Sequence, residues 1–234
     1  MIYLYIAFIL YIGFATAYIY ADYGSKTAMK RATKIPAGIL YLVIALLAFF
    51  LNRVDGQLVA LQHFAWVFSA MFCCFVGDMA MLGAGKSKAV IGIGMGSFFV
   101  AHVLLAAYFA MYLSRTGAPW VSSAELFTVL VGVVAAFLFL RIKRLDFGGA
   151  GYKLVVFVFF MSSVVMIAKA ISLVKVMNTG ASWPALVGVL FMAVSDFFLA
   201  YKYFSTEKSV YALGTALVLY FSGMAALPLS IYYI

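Results

Sequence analysis

Apolar runs of about twenty residues alternate along this chain with short breaks that carry glycine, lysine or arginine. Eight runs can be counted, at 2–20, 35–51, 59–83, 89–113, 121–140, 153–177, 183–203 and 209–233. A helix rises about 1.5 Å per residue and a bilayer core is about 30 Å thick, so each run is long enough to cross it once. The pattern predicts an all-α integral membrane protein of eight transmembrane helices, forming one polytopic domain over 1–234. Small residues near Ala15 to Ala21 give the first run the look of a signal peptide. It lacks a basic leading segment and is long for a signal's apolar stretch, so it is read as a helix.

Composition agrees with the pattern. Of 234 residues, 68% are hydrophobic and 10% charged, with a mean hydropathy of +1.14, which is more apolar side chain than a soluble domain can enclose. The net charge of +9 would suggest nucleic acid in a soluble protein, but here it falls between the apolar runs and reads as topology. Lys26, Lys30, Arg31 and Lys34 follow helix one, Lys86 and Lys88 follow helix three, and Arg141, Lys143, Arg144 and Lys153 follow helix five. The alternate connections are poorer, with Arg53 beside Asp55, then Arg115 and Lys175, while Lys202, Lys208 and Glu207 mark the last inner one. By the bias of basic loops toward the cytoplasm, both termini are expected outside a bacterial inner membrane.

The spacing hints at duplication. Asp78 and Asp196 stand 118 residues apart, helices two and six begin at about the same offset, and KSKAVIGIGMG entering helix four resembles EKSVYALGTAL entering helix eight. Halves 1–118 and 119–234 are therefore expected to be parallel four-helix copies, with the two aspartates at matching depth.

Several chemistries find no residues. Cys73 and Cys74 are adjacent and point to different sides of one helix, which suits no disulfide, and only His63 and His102, on different helices, could join a metal site. No nucleotide-binding or serine-hydrolase motif occurs, so no cofactor is expected. IGIGMG lies inside an apolar run, where Gly92 and Gly96 read as points of close helix approach.

What remains is a pair of carboxylates, Asp78 in CCFVGDMAML and Asp196 in AVSDFFLA. A charge inside a spanning helix costs a few kcal/mol, so such residues usually pair, face a cavity or do chemistry. By the helical rise, Asp78 lies about 7 Å and Asp196 about 10 Å from the inner helix ends, too deep for so short a side chain to reach water. Glu125 and His63 read as outer-interface residues, and Lys169 as able to extend outward.

Lys34 and Pro36 in ATKIPAGIL, GD in an apolar helix (Gly77, Asp78), His102 within FFVAHVLLAAYF, and SD (Ser195, Asp196) near the end of helix seven resemble, in this order, the YhhN family of eight-helix membrane proteins, which includes lysoplasmalogenases. Ile35 separates the lysine from the proline, Cys74 stands where a serine is common, and Leu105 replaces a tyrosine, with Tyr108 one turn further on. The resemblance implies hydrolysis of the vinyl ether bond of a lysoplasmalogen, a lysophospholipid, to a fatty aldehyde and glycerophospho-ethanolamine or -choline. Asp78 and Asp196 would be catalytic, one carboxyl group donating a proton and the other stabilising an oxocarbenium ion, as paired carboxylates do in glycosidases. Lys34, Lys86, Lys88 and Lys153 would hold the phosphate, and Lys34, His102, Ser195, Tyr108 and Tyr152 would bind substrate. Proton-coupled transport through the same aspartates, hydrolysis of another lipid bond, and a non-catalytic role for the aspartates as structural hydrogen-bond partners remain open. Oligomeric state is not legible.

Overall fold

Residues 2–24, 27–52, 57–83, 88–206 and 210–233 are described in the structure, a computed structural model. They form eight helices: α1 (Ile2–Tyr23), α2 (Thr27–Leu51), α3 (Gln57–Met81), α4 (Lys88–Arg115), α5 (Ser123–Leu140), α6 (Ala150–Met177), α7 (Ser182–Phe204) and α8 (Val210–Tyr232). All eight are long and apolar enough to cross a membrane. The largest difference from the hydropathy pattern is at α2, which starts at Thr27, ahead of the expected 35, and so takes Lys30, Arg31 and Lys34 into helix. Lys30 and Lys34 find carboxylate partners there, so the end of the apolar run is not the end of the helix. At α5 the start is written locally: Ser122 Oγ accepts from the Glu125 amide at 3.2 Å while Glu125 Oε2 accepts from the Ser122 amide at 3.4 Å, a capping box.

Consecutive helices pack as antiparallel pairs, α1 with α2, α3 with α4, α5 with α6 and α7 with α8. The pairs are joined by α2 with α3 and α6 with α7, and the two halves meet where α2 packs on α8 and α4 on α6. A shift of four helices maps one of those two cross-contacts onto the other. The correspondence is incomplete, because α8 also packs closely on α1 and α3, whereas α4 meets α7 through the His102 and Asp196 side chains rather than by close backbone approach. α5 packs chiefly on α6, with Phe139 also against the Phe197 ring of α7, and leaves a face of Leu126, Leu130, Val134 and Leu138 exposed as a lipid-facing helix requires.

α7 crosses α8 backbone against backbone. A Cβ added at Gly223 would lie 2.8 Å from the Gly188 carbonyl oxygen, and one at Gly188 would lie 2.9 Å from Leu227, so two facing glycines set the distance between the backbones. The expected close approach at Gly92 and Gly96 is not there, since both meet open space. Gly94, on another side of α4, is the packed one, with Met81 of α3 at 2.9 Å from an added Cβ. The entering segments compared for duplication lie partly outside the described residues, as do Lys26, Arg53, Asp55, Lys86, Glu207 and Lys208.

At the end of the bundle where α5 meets α6, the connection is strapped to the α7 terminus. The Asp146 amide donates to the Phe204 carbonyl at 2.7 Å and the Thr206 amide to the Arg144 carbonyl at 2.9 Å, with the Phe147 ring tilted against Phe204. This is the basic end of the molecule.

Candidate active site

Asp78 sits in the last turn of α3 with 2% of its surface exposed. Gly77 before it leaves room for the Phe98 ring of α4, which would stand 3.0 Å from an added Cβ. Three donors converge on the carboxylate: Lys34 Nζ at 2.8 Å from Oδ1, and the Tyr220 and Tyr41 hydroxyls at 2.7 and 3.4 Å from Oδ2. Lys34 and Tyr41 are seven residues apart on α2, two turns along one face, which is how one helix supplies both. The ammonium also stands 5.1 Å from the centre of the Tyr18 ring. Lys34 was expected at the interface as a phosphate anchor, but here it is enclosed and committed to Asp78, because a buried ammonium needs a counter-charge.

Asp196 on α7 is equally enclosed, with 4% exposure. Ser163 of α6 donates to Oδ2 at 3.3 Å, and His102 Nε2 of α4 lies 3.2 Å from the same oxygen, off the line of a hydrogen bond. The other ring nitrogen, Nδ1, has the hydroxyls of Ser162 and Ser163 at 3.1 and 3.2 Å. His102 thus meets Asp196 and stands behind it rather than in the open space.

The two carboxylates line one cavity. Its walls include Lys34, Asp78, Ser195, Asp196, Lys202 and Tyr220, and its volume is about 30 Å³. Ser195 donates to the Ala216 carbonyl at 2.8 Å and so ties α7 to α8 beside the cavity. Beyond a ring pair formed by Tyr18 and Phe221, with centroids 5.8 Å apart, an apolar groove of about 450 Å³ runs between α1 and α8.

Other candidates lie elsewhere. Tyr108 faces His63, its hydroxyl 2.7 Å from Nδ1, while Ser230 Oγ is 3.0 Å from Nε2. His63 is therefore a buried link between α3, α4 and α8, not an interface residue. Tyr152 is half-buried in the first turn of α6, outside the cavity, and Lys153 is exposed with its Nζ 5.9 Å from the Phe147 ring. Glu125 is buried rather than interfacial and takes Lys169 Nζ at 2.9 Å, and that ammonium also donates to the Trp120 carbonyl at 2.8 Å. Lys86 and the Lys88 side chain lie outside the described residues. No group of three metal-ligating side chains occurs among the described residues.

The family model described as the YhhN family matches residues 58–231. The chain belongs to the YhhN family. The YhhN match spans Asp78, His102, Ser163, Asp196 and Tyr220, while Lys34 and Tyr41 precede it. No curated protein and no solved structure matches the chain.

Three polar partners escaped the sequence reading, Tyr41, Ser163 and Tyr220, and so did Asp22. Signals for two of them were present. Tyr220 stands 118 residues after His102, the same offset that separates the aspartates, and Ser162-Ser163 is a polar pair inside an apolar run.

Proposed function

We propose that this protein hydrolyses the vinyl ether bond of a lysoplasmalogen, with Asp196 as proton donor and Asp78 as the carboxylate facing the cation. The observation that carries the reading is that both aspartates border one cavity. A vinyl ether reacts when an acid places a proton on its β carbon, which leaves an oxocarbenium ion. Water adds to the carbon bearing oxygen, and the hemiacetal collapses to aldehyde and glycerol hydroxyl. One carboxylic acid and one carboxylate serve these steps.

The two environments suit different roles. Asp78 is met by three donors, one of them an ammonium, and is held as an acceptor toward all of them. Asp196 is met by a single neutral hydroxyl donor, with the His102 imidazole beside the same oxygen. A volume of about 30 Å³ holds about one water, the molecule that the oxocarbenium step consumes.

The test is incubation of the purified protein in detergent with lysoplasmalogen, diacyl phospholipid and lysophosphatidylcholine. Aldehyde from the vinyl ether lipid alone is expected. Fatty acid from an ester lipid would move the assignment to another lipid bond, and no product together with solute uptake in vesicles would move it to transport.

A further inference from the structure

A third buried aspartate lies at the basic end. Asp22, in the last turn of α1, has Lys30 Nζ of α2 at 2.6 Å from Oδ1 and Lys202 Nζ of α7 at 3.2 Å from Oδ2. The carboxylate side chain is 4% exposed, whereas the two lysine side chains are 26% and 27% exposed, so the cations face outward and the anion is behind them. Among the described residues, two ammonium groups stand against one carboxylate, an excess of one positive charge. Lys202 also lines the cavity that holds both catalytic candidates. It follows Asp196 by six residues on α7, about 9 Å nearer the basic end by the helical rise.

Lys34 is committed to Asp78, so the phosphate that a lysolipid carries needs another cation at the cavity mouth. We infer that Lys202, together with Lys30, binds the headgroup phosphate of the lysolipid, and that Asp22 is the internal counter-ion which that phosphate displaces. The inference rests on the lysolipid reading above. A phosphodiester has one negative charge, matching the excess charge of the cluster. A lysine is a mobile point charge that can swing from carboxylate to phosphate without a fixed geometry. The separation along α7 is about that between a phosphate and the far side of its glycerol, where the ether oxygen lies. Without lipid, Asp22 keeps the two ammonium groups gathered at the mouth instead of extended into solvent.

Binding measured apart from chemistry tests this. The full chain in detergent is titrated calorimetrically with a 1-O-alkyl glycerophosphoethanolamine, which has no vinyl ether to cleave, with the matching 1-O-alkyl glycerol, and with inorganic phosphate. The phosphate-bearing lipid should bind at least about tenfold more tightly than the phosphate-free one, and Lys202→Met should remove most of that preference. Asp22→Asn should increase it, because the competing anion is gone. A purely structural ion pair predicts the same direction for both substitutions, since each breaks the same contact. Equal affinity for the two lipids, an undiminished preference in Lys202→Met, or loss of preference in both variants overturns the inference. Inorganic phosphate binding as tightly as the lipid overturns the headgroup assignment. Lys30→Met gives the same readout should Lys202→Met fail to fold. A protein that binds with the phosphate preference yet releases no aldehyde sinks the hydrolysis reading and leaves the headgroup site standing.

Discussion

Asp78 and Lys34 form a pair that neither residue can leave without stranding the other. Removing one member of a buried ion pair costs roughly 3–5 kcal/mol, while removing both costs far less. Lys34→Met should therefore lower the thermal unfolding midpoint in detergent sharply, and adding Asp78→Asn should recover most of the loss; a double variant no more stable than Lys34→Met would show that the two are not coupled. For activity, Asp196→Asn, and Asp78→Asn assayed below its own lowered unfolding midpoint, should each reduce aldehyde release by about 10²-fold or more while circular dichroism still shows folded protein. Wild-type turnover in Asp78→Asn would remove it from the mechanism. The aspartates were legible in the sequence because a carboxylate in an apolar run is conspicuous. Their partners were not, since tyrosine and serine are unremarkable in a membrane helix and only the fold brings Tyr220 or Ser163 to a carboxylate. Lys34 was visible but misplaced: its position in the chain says interface, and its pairing says interior.

The eight helices were legible because run length and bilayer thickness leave little choice of element. Which faces meet was not, as the glycines of α4 illustrate. Gly92, Gly94 and Gly96 are alike in composition, and only the rotation of the helix decides that Gly94 meets Met81. At the α7–α8 crossing the contact is backbone against backbone, which cannot yield as a flexible side chain can. Gly223→Ala should thus destabilise the protein by about 1–3 kcal/mol, the usual range for overpacking, and should lower turnover as well, because Tyr220 is one turn away and would shift from Asp78. Thermal unfolding together with aldehyde release checks both; unchanged values would mean that the crossing is looser than the glycines imply. Gly92→Ala, in open space, is the matched control.

Across the whole molecule the two carboxylates are served crosswise. Asp78 of the first half takes the Tyr220 hydroxyl of the second, and Asp196 of the second faces His102 of the first. Each half by itself holds an aspartate without its full set of partners, so fragments separated in the 116–121 connection should be inactive singly and recover aldehyde release only when expressed together. Reporter fusions at 84–88 and 141–152 should read cytoplasmic, and those at 52–58 and 114–120 external, by the distribution of basic residues; the opposite pattern would place the basic end, and with it the headgroup, in the other leaflet. The space between the aspartates holds about one water, and the roomier groove lies behind the Tyr18–Phe221 ring pair. On the proposed hydrolase reading, a lipid tail would reach the carboxylates only while helices stand apart, so the surrounding bilayer would set part of the pace of turnover. Turnover in vesicles would then track the lateral freedom of the lipids, slowing abruptly as the membrane passes from fluid to gel while the same protein in detergent slows only gradually with temperature.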